Sequence, residues 1–153
     1  MRVLFVCSGN TCRSPMAEVL LRRMLDEAGR EDITVTSAGS AAIDGAPASE
    51  GAYLIGLEQG LDLSSHRARL LTPNLIEGAD LILTMSRGHL ARVARLGGAE
   101  RAHLLGEYAG LTGAGSKVRD PFGSDVETYR ATFMQLRVML AAARDRLLSE
   151  QSS

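Results

Sequence analysis

The order of its elements predicts one α/β domain: a four-stranded parallel sheet with helices on both faces. Two observations predict it. Short apolar, β-prone runs alternate along the chain with segments whose apolar residues recur at helical spacing. The first run, Val3-Leu4-Phe5-Val6, leads through small and polar residues into such a segment, the opening of a parallel crossover unit. Length and composition agree: 153 residues, 45% apolar and 23% charged, suit a single domain spanning 1–153 with a real core.

The elements follow in order. Val3 to Val6 reads as a buried strand, and Cys7 to Ser14 as a loop. Ser14-Pro15 supplies an N-cap and a first helical residue, and Ala17, Leu20, Leu21, Met24, Leu25 and Ala28 keep helical spacing up to Gly29. Ile33-Thr34-Val35-Thr36 is a second strand, ended by Ser37-Ala38-Gly39-Ser40. A loop over 40–47 follows, and Pro47 opens a helix carrying Ala52, Leu54, Ile55 and Leu57. Leu61 to Arg69 connects. Thr72-Pro73 starts a short helix ending near Gly78, and Leu81-Ile82-Leu83 is a third strand. Ser86 caps a helix with Leu90, Val93, Ala94 and Leu96, stopped by Gly97-Gly98. Ala102-His103-Leu104-Leu105 is a fourth, weaker strand. A long glycine-rich loop covers 106–125, and the clearest helix runs over 126–148, with fraying expected at 149–153.

Composition removes several function classes. A net charge of −1, no Trp and 4% aromatics argue against nucleic-acid binding. No apolar run approaches the length of a membrane span. Two cysteines in one short loop are not a secreted disulfide framework, so a reducing, cytoplasmic setting is expected. Three scattered histidines lack ligand spacing, so no metal and no cofactor are expected.

The loop after the first strand suits an anion. Backbone N–H groups and a helix N-terminus converge there, and the loop is expected to bind phosphate through residues 8–12. Cys7 begins it and Arg13 ends it. A guanidinium can hold two phosphate oxygens at once. Positive surroundings are expected to depress the Cys7 pKa well below the usual value of about 8.5, giving a thiolate nucleophile. The plainer reading of Cys7 is a small buried hydrophobe.

A long loop in a compact domain normally has a function, and this one holds Arg119-Asp120-Pro121-Phe122-Gly123. Asp120 could protonate a leaving group and then accept a proton from water. Asp-Pro is also a common turn opener.

Cys7-Ser8-Gly9-Asn10-Thr11-Cys12-Arg13-Ser14-Pro15, together with Asp120-Pro121, closely resembles the low-molecular-weight protein tyrosine phosphatase family. The resemblance covers essentially the whole chain, and the order and spacing of the motifs agree. It implies that Cys7 is the nucleophile, Arg13 the phosphate clamp and Asp120 the general acid, then base. It implies that Ser8, Gly9, Asn10, Thr11 and Cys12 bind phosphate. Ser14 would donate to the Cys7 sulfur, while Asn10, Ser37 and His66 hold the loop in shape. Cys12 resembles a second loop cysteine able to trap an oxidised Cys7 as a disulfide; a buried filler thiol is the alternative. His89 and His103 are expected at the surface or core edge, and Arg67, Arg69, Arg87, Arg92 and Arg95 on solvated faces.

Two features separate branches of that family. Thr11 resembles the arginine-directed branch, where tyrosine-directed members carry a bulky aliphatic. Phe122 is followed by Gly123-Ser124, whereas tyrosine-directed members tend to follow Asp-Pro with two aromatics. The expected activity is a cysteine-dependent protein phosphatase that removes phosphate from phosphoarginine in proteins through a phosphocysteine intermediate. A protein-tyrosine phosphatase is the alternative. Arsenate reduction by an external thiol is a more distant one, because no downstream cysteine pair is present. Phosphorylated proteins are the expected partners, and the chain is expected to act as a monomer.

Overall fold

The computed structural model describes residues 1–151, except for the side chains at 114 and 115. The first strand, β1 (Arg2–Cys7), is buried along Val3 to Cys7, as a central parallel strand requires. It is followed by α1 (Arg13–Glu27), β2 (Thr34–Gly39), α2 (Glu50–Glu58), α3 (Pro73–Glu77) and β3 (Leu81–Thr84). Then come α4 (Arg87–Arg95), β4 (Ala102–Leu104), α5 (Leu105–Tyr108) and α6 (Val126–Gln151). All pairings are parallel, in the order β2-β1-β3-β4. The chain moves to one side of β1 to make β2, then to the other to make β3. That reversal opens a crevice beyond the carboxyl end of β1, where ligands of such sheets bind.

Two apolar clusters cover the sheet. One joins Val3 and Phe5 to Leu21 and Leu25 of α1, Ile55 of α2, and Phe133, Leu136 and Leu140 of α6. The other packs Leu4, Val6 and Ile82 against Ile76 and Val93 of the opposite helices. Alternate residues of β1 therefore point into different cores, as strand geometry dictates.

The expected elements are all present, with boundary corrections. Helix α1 begins at Arg13 with Cys12 at its N-cap, because the Ser14 hydroxyl is engaged by Cys7 rather than by the helix end. Helix α2 begins at Glu50, not Pro47; the Ser49 side chain accepts from Ala52 N–H and fixes the start. Leu105 opens α5 instead of closing β4, and the stretch after it also holds a 3₁₀ turn at Gly113–Ser116. Elements of four residues are too short to leave a periodic signature. The last helix continues to Gln151, so 149–151 do not fray; residues 152–153 lie outside the described ones.

Candidate active site

Pairing of β1 with β2 sets Cys7 beside Gly39, and pairing with β3 sets Val6 beside Thr84. The strand ends therefore converge on one loop, residues 8–12, which runs directly into α1. The loop is pinned from β2: Ser40 N–H donates to the Cys7 carbonyl and Ala41 N–H to that of Ser8, both at 2.9 Å. A glycine is required at position 39, since a Cβ there would lie 2.5 Å from the Ser8 carbonyl oxygen.

Asn10 is the keystone of the loop. It is fully buried and has a left-handed backbone, φ 56°. Its Nδ2 donates to Ser14 Oγ at 2.8 Å and Ser37 Oγ at 2.9 Å, and its Oδ1 accepts from Arg69 N–H at 2.9 Å. Its carbonyl contacts His66 Nε2 at 2.6 Å. These bonds compensate the cost of a strained backbone. Ser37 passes its own proton to Glu18 Oε1 at 2.6 Å, and Glu18 pairs with Arg22. The Asn10–Ser37–His66 set expected from the sequence is thus assembled.

Cys7 Sγ lies 2.8 Å from Ser14 Oγ and 3.3 Å from the Asn10 amide nitrogen, which donates to it. Ser14 Oγ accepts from Asn10 and keeps a proton it can donate to the sulfur once that is ionised. The expected depression of the Cys7 pKa is not met: burial is the largest influence and pushes the thiol up. The Ser14 hydroxyl and amide, the Arg13 charge and the Asn10 amide all act in the lowering direction.

Arg13 is buried, donating from Nη1 to the Val118 carbonyl at 3.3 Å. Its Nη2 lies 3.4 Å from Asp120 Oδ2. Asp120 is half-exposed and its other oxygen accepts from Phe122 N–H at 3.1 Å, a turn that shapes the rim. Cys7, Ser8, Gly9, Thr11 and Cys12 line a cavity of about 250 Å³ with Arg13, Ala41, Asp120 and Phe122. Asp120, distant in sequence, therefore shares one pocket with Cys7 and Arg13. Its floor is a loop opening onto the N-terminus of a fifteen-residue helix, a setting for an anion. Phe122 stands exposed at the mouth.

Cys12 is buried, with Ser49 Oγ at 3.2 Å and Tyr129 Oη at 3.3 Å. The Tyr129 hydroxyl is pushed up to about 12, first by burial and then by Cys12. Among the described residues, no group of three His, Cys, Asp or Glu side chains could hold a metal ion, and no helix is long and apolar enough to cross a membrane.

Four participants escaped the sequence reading. Arg69 does not sit on a solvated face: its guanidinium donates to the Ser37 carbonyl at 3.2 and 3.3 Å. His89, expected at the surface or core edge, is buried with Nε2 at 2.8 Å from Ser8 Oγ. Glu18 and Tyr129 read only as helix residues. Long-range partners of this kind leave no local pattern, although Glu18 lies one helical turn beyond Ser14 on the same face.

The sequence model of a family described as "Low molecular weight phosphotyrosine protein phosphatase" matches residues 2–152. The low molecular weight protein-tyrosine-phosphatase PtpB of Staphylococcus haemolyticus is 38% identical, the match covering 94% of this chain and 98% of that protein. The protein-arginine-phosphatase of Bacillus subtilis is 37% identical, covering 92% of each. A solved structure described as YwlE arginine phosphatase, a Cys-to-Ser mutant with a phosphorylated active site serine, has a TM-score of 0.86 at 34% identity, covering 96% of this chain and 95% of that one.

Proposed function

The chain belongs to the low molecular weight phosphotyrosine protein phosphatase family, and from that premise we propose that it removes phosphate from phosphoarginine in proteins. Cys7 attacks phosphorus. The P–N bond breaks as a P–S bond forms, and Asp120 gives its proton to the departing guanidine nitrogen. Water then attacks the phosphocysteine, Asp120 takes a proton from it, and the P–S bond breaks to release phosphate. Arg13 holds the phosphoryl oxygens, and the Ser14 hydroxyl steadies the sulfur as it leaves. A neutral thiol facing a phosphoryl dianion can pass its proton to a phosphoryl oxygen, leaving a thiolate facing a monoanion at the same total charge, so a thiol raised by burial is compatible with attack. The relative with a phosphorylated active-site serine supports a covalent intermediate on this side chain.

One observation carries the choice of substrate. Gly123 has φ +77°, so an aromatic side chain there would be strained, and Phe122 is left as a wall of the pocket that Thr11 also lines. A slim guanidine needs less walling than a phenyl ring, and the protonated Asp120 carboxyl can accept from one guanidine N–H through one oxygen while the other carries the proton for the leaving nitrogen. The arginine phosphatase of Bacillus subtilis supports this reading. The second reading, phosphotyrosine, is favoured by the 38% identity to the Staphylococcus haemolyticus enzyme.

The test is a comparison of kcat/KM on phosphoarginine and phosphotyrosine peptides. Phosphoarginine is expected to be preferred, and Thr11→Ile is expected to shift the ratio towards phosphotyrosine. Cys7→Ser should abolish turnover but keep anion binding, and Asp120→Ala should slow substrates with poor leaving groups most. A preference for phosphotyrosine in the unaltered protein would overturn the assignment.

A further inference from the structure

The carboxyl ends of β1 and β3 lie side by side, with Val6 paired to Thr84 and Met85 N–H donating to the Val6 carbonyl at 3.1 Å. Ser8 stands one residue beyond β1 and Ser86 two beyond β3, and His89 lies between their hydroxyls. Its Nε2 is 2.8 Å from Ser8 Oγ and its Nδ1 is 3.0 Å from Ser86 Oγ. The ring is buried, while Ser8 is exposed and lines the pocket beside Cys7. Ser86 occupies the N-cap of α4, yet its side chain makes no cap hydrogen bond. Ser49, at the same place on α2, does cap its helix. Ser86 is therefore given over to the imidazole at the expense of its own helix.

We infer that His89 is a positioning residue of the phosphate loop: held by Ser86, it fixes the Ser8 hydroxyl so that its proton points to a phosphoryl oxygen. A neutral imidazole has one donor and one acceptor. With the Ser86 proton on Nδ1, the Nε2 proton goes to Ser8 Oγ, and the Ser8 proton is left for the substrate. The opposite arrangement spends the Ser8 proton on Nε2 and turns only lone pairs to an anion. An anion on the loop selects the first, in which three dipoles align and strengthen one another. Burial and the nearby Arg13 charge keep the ring neutral, its pKa pushed down to about 4.

This inference rests on the phosphatase reading, and the experiment separates the two. In the full chain carrying Cys7→Ser, inorganic phosphate is titrated while the ¹⁵N signals of the histidine ring are recorded. The expected result is His89 in its Nε2–H tautomer, with ring signals that shift as phosphate binds. In the protein with Cys7 intact, Ser8→Ala, at an exposed position, and His89→Phe should each lower kcat/KM about 10-fold. The double variant should lose no more than either one. His89→Gln, whose amide offers a donor and an acceptor, should recover most of the rate. If phosphate does not bind, the reading of the loop fails. If it binds while the His89 signals stay still, or if Ser8→Ala is fully active, or if the two losses multiply, the inference fails and the phosphatase reading stands.

Discussion

The Ser14 hydroxyl accepts from Asn10 and lies 2.8 Å from Cys7 Sγ, where it can donate its one proton to an ionised sulfur. Since that hydrogen bond lowers the thiol pKa, removing it must raise it. Ser14→Ala is expected to move the midpoint of Cys7 alkylation, followed by iodoacetamide rates against pH, to higher pH. An unchanged or lower midpoint would mean that Ser14 does not act on the sulfur. His89 yields a stability prediction. Its pKa is pushed from the usual 6.5 to about 4 by burial and by Arg13, with Asp120 opposing. The unfolded chain thus binds a proton at a pH where the folded one does not. The stability held by the neutral ring is fully present above about pH 6.5 and is lost as pH falls through 4. Denaturant titrations should show the native protein losing roughly 2–3 kcal/mol more than His89→Gln across that range. Equal losses would show that His89 is not held neutral by the fold.

At the scale of elements, the loop is shaped as much by β2 as by its own residues. Gly39 pairs with Cys7 and has no room for a methyl group, its added Cβ lying 2.9 Å from Asn10 N and closer still to the Ser8 carbonyl. Both neighbours are backbone and cannot swing aside. Gly39→Ala is expected to destabilise the protein by about 1–3 kcal/mol and to depress activity more than stability alone explains. Thermal melting and kcat/KM measured together check this, and wild-type values of both would show that the loop yields freely. The strands and the long helices were legible because burial patterns are local: β1 and α6 announce themselves by apolar spacing. The motif residues Cys7, Arg13 and Asp120 were legible by type and order. The supports Arg69, His89 and Tyr129 were not, because each meets the loop across the fold and nothing in its own neighbourhood marks it. The upward push of burial on the Cys7 thiol has no local sign either, because burial is a property of the packed whole.

For the whole molecule, the two apolar clusters lie on opposite faces of the sheet, so their contributions should add. Phe133 fills the cluster shared with α1 and α2, and Ile82 fills the one beneath α3 and α4. Phe133→Ala is expected to cost about 3–5 kcal/mol and Ile82→Ala about 2–5 kcal/mol. Their sum should hold within about 0.5 kcal/mol if the sites are independent. Circular dichroism and fluorescence should follow one shared transition on denaturant titration, whereas separate transitions would mean that the two faces unfold independently.

The ion pair between Arg13 and Asp120 is where the first and last portions of the chain meet at the pocket. Asp120 rides on a rim where Pro121 is buried and the two residues after it, Phe122 and Gly123, are exposed. A lineage could therefore redraw that rim, residue by residue, and acquire a new diet of phosphorylated proteins. The buried cradle of sulfur and asparagine behind it would be inherited untouched.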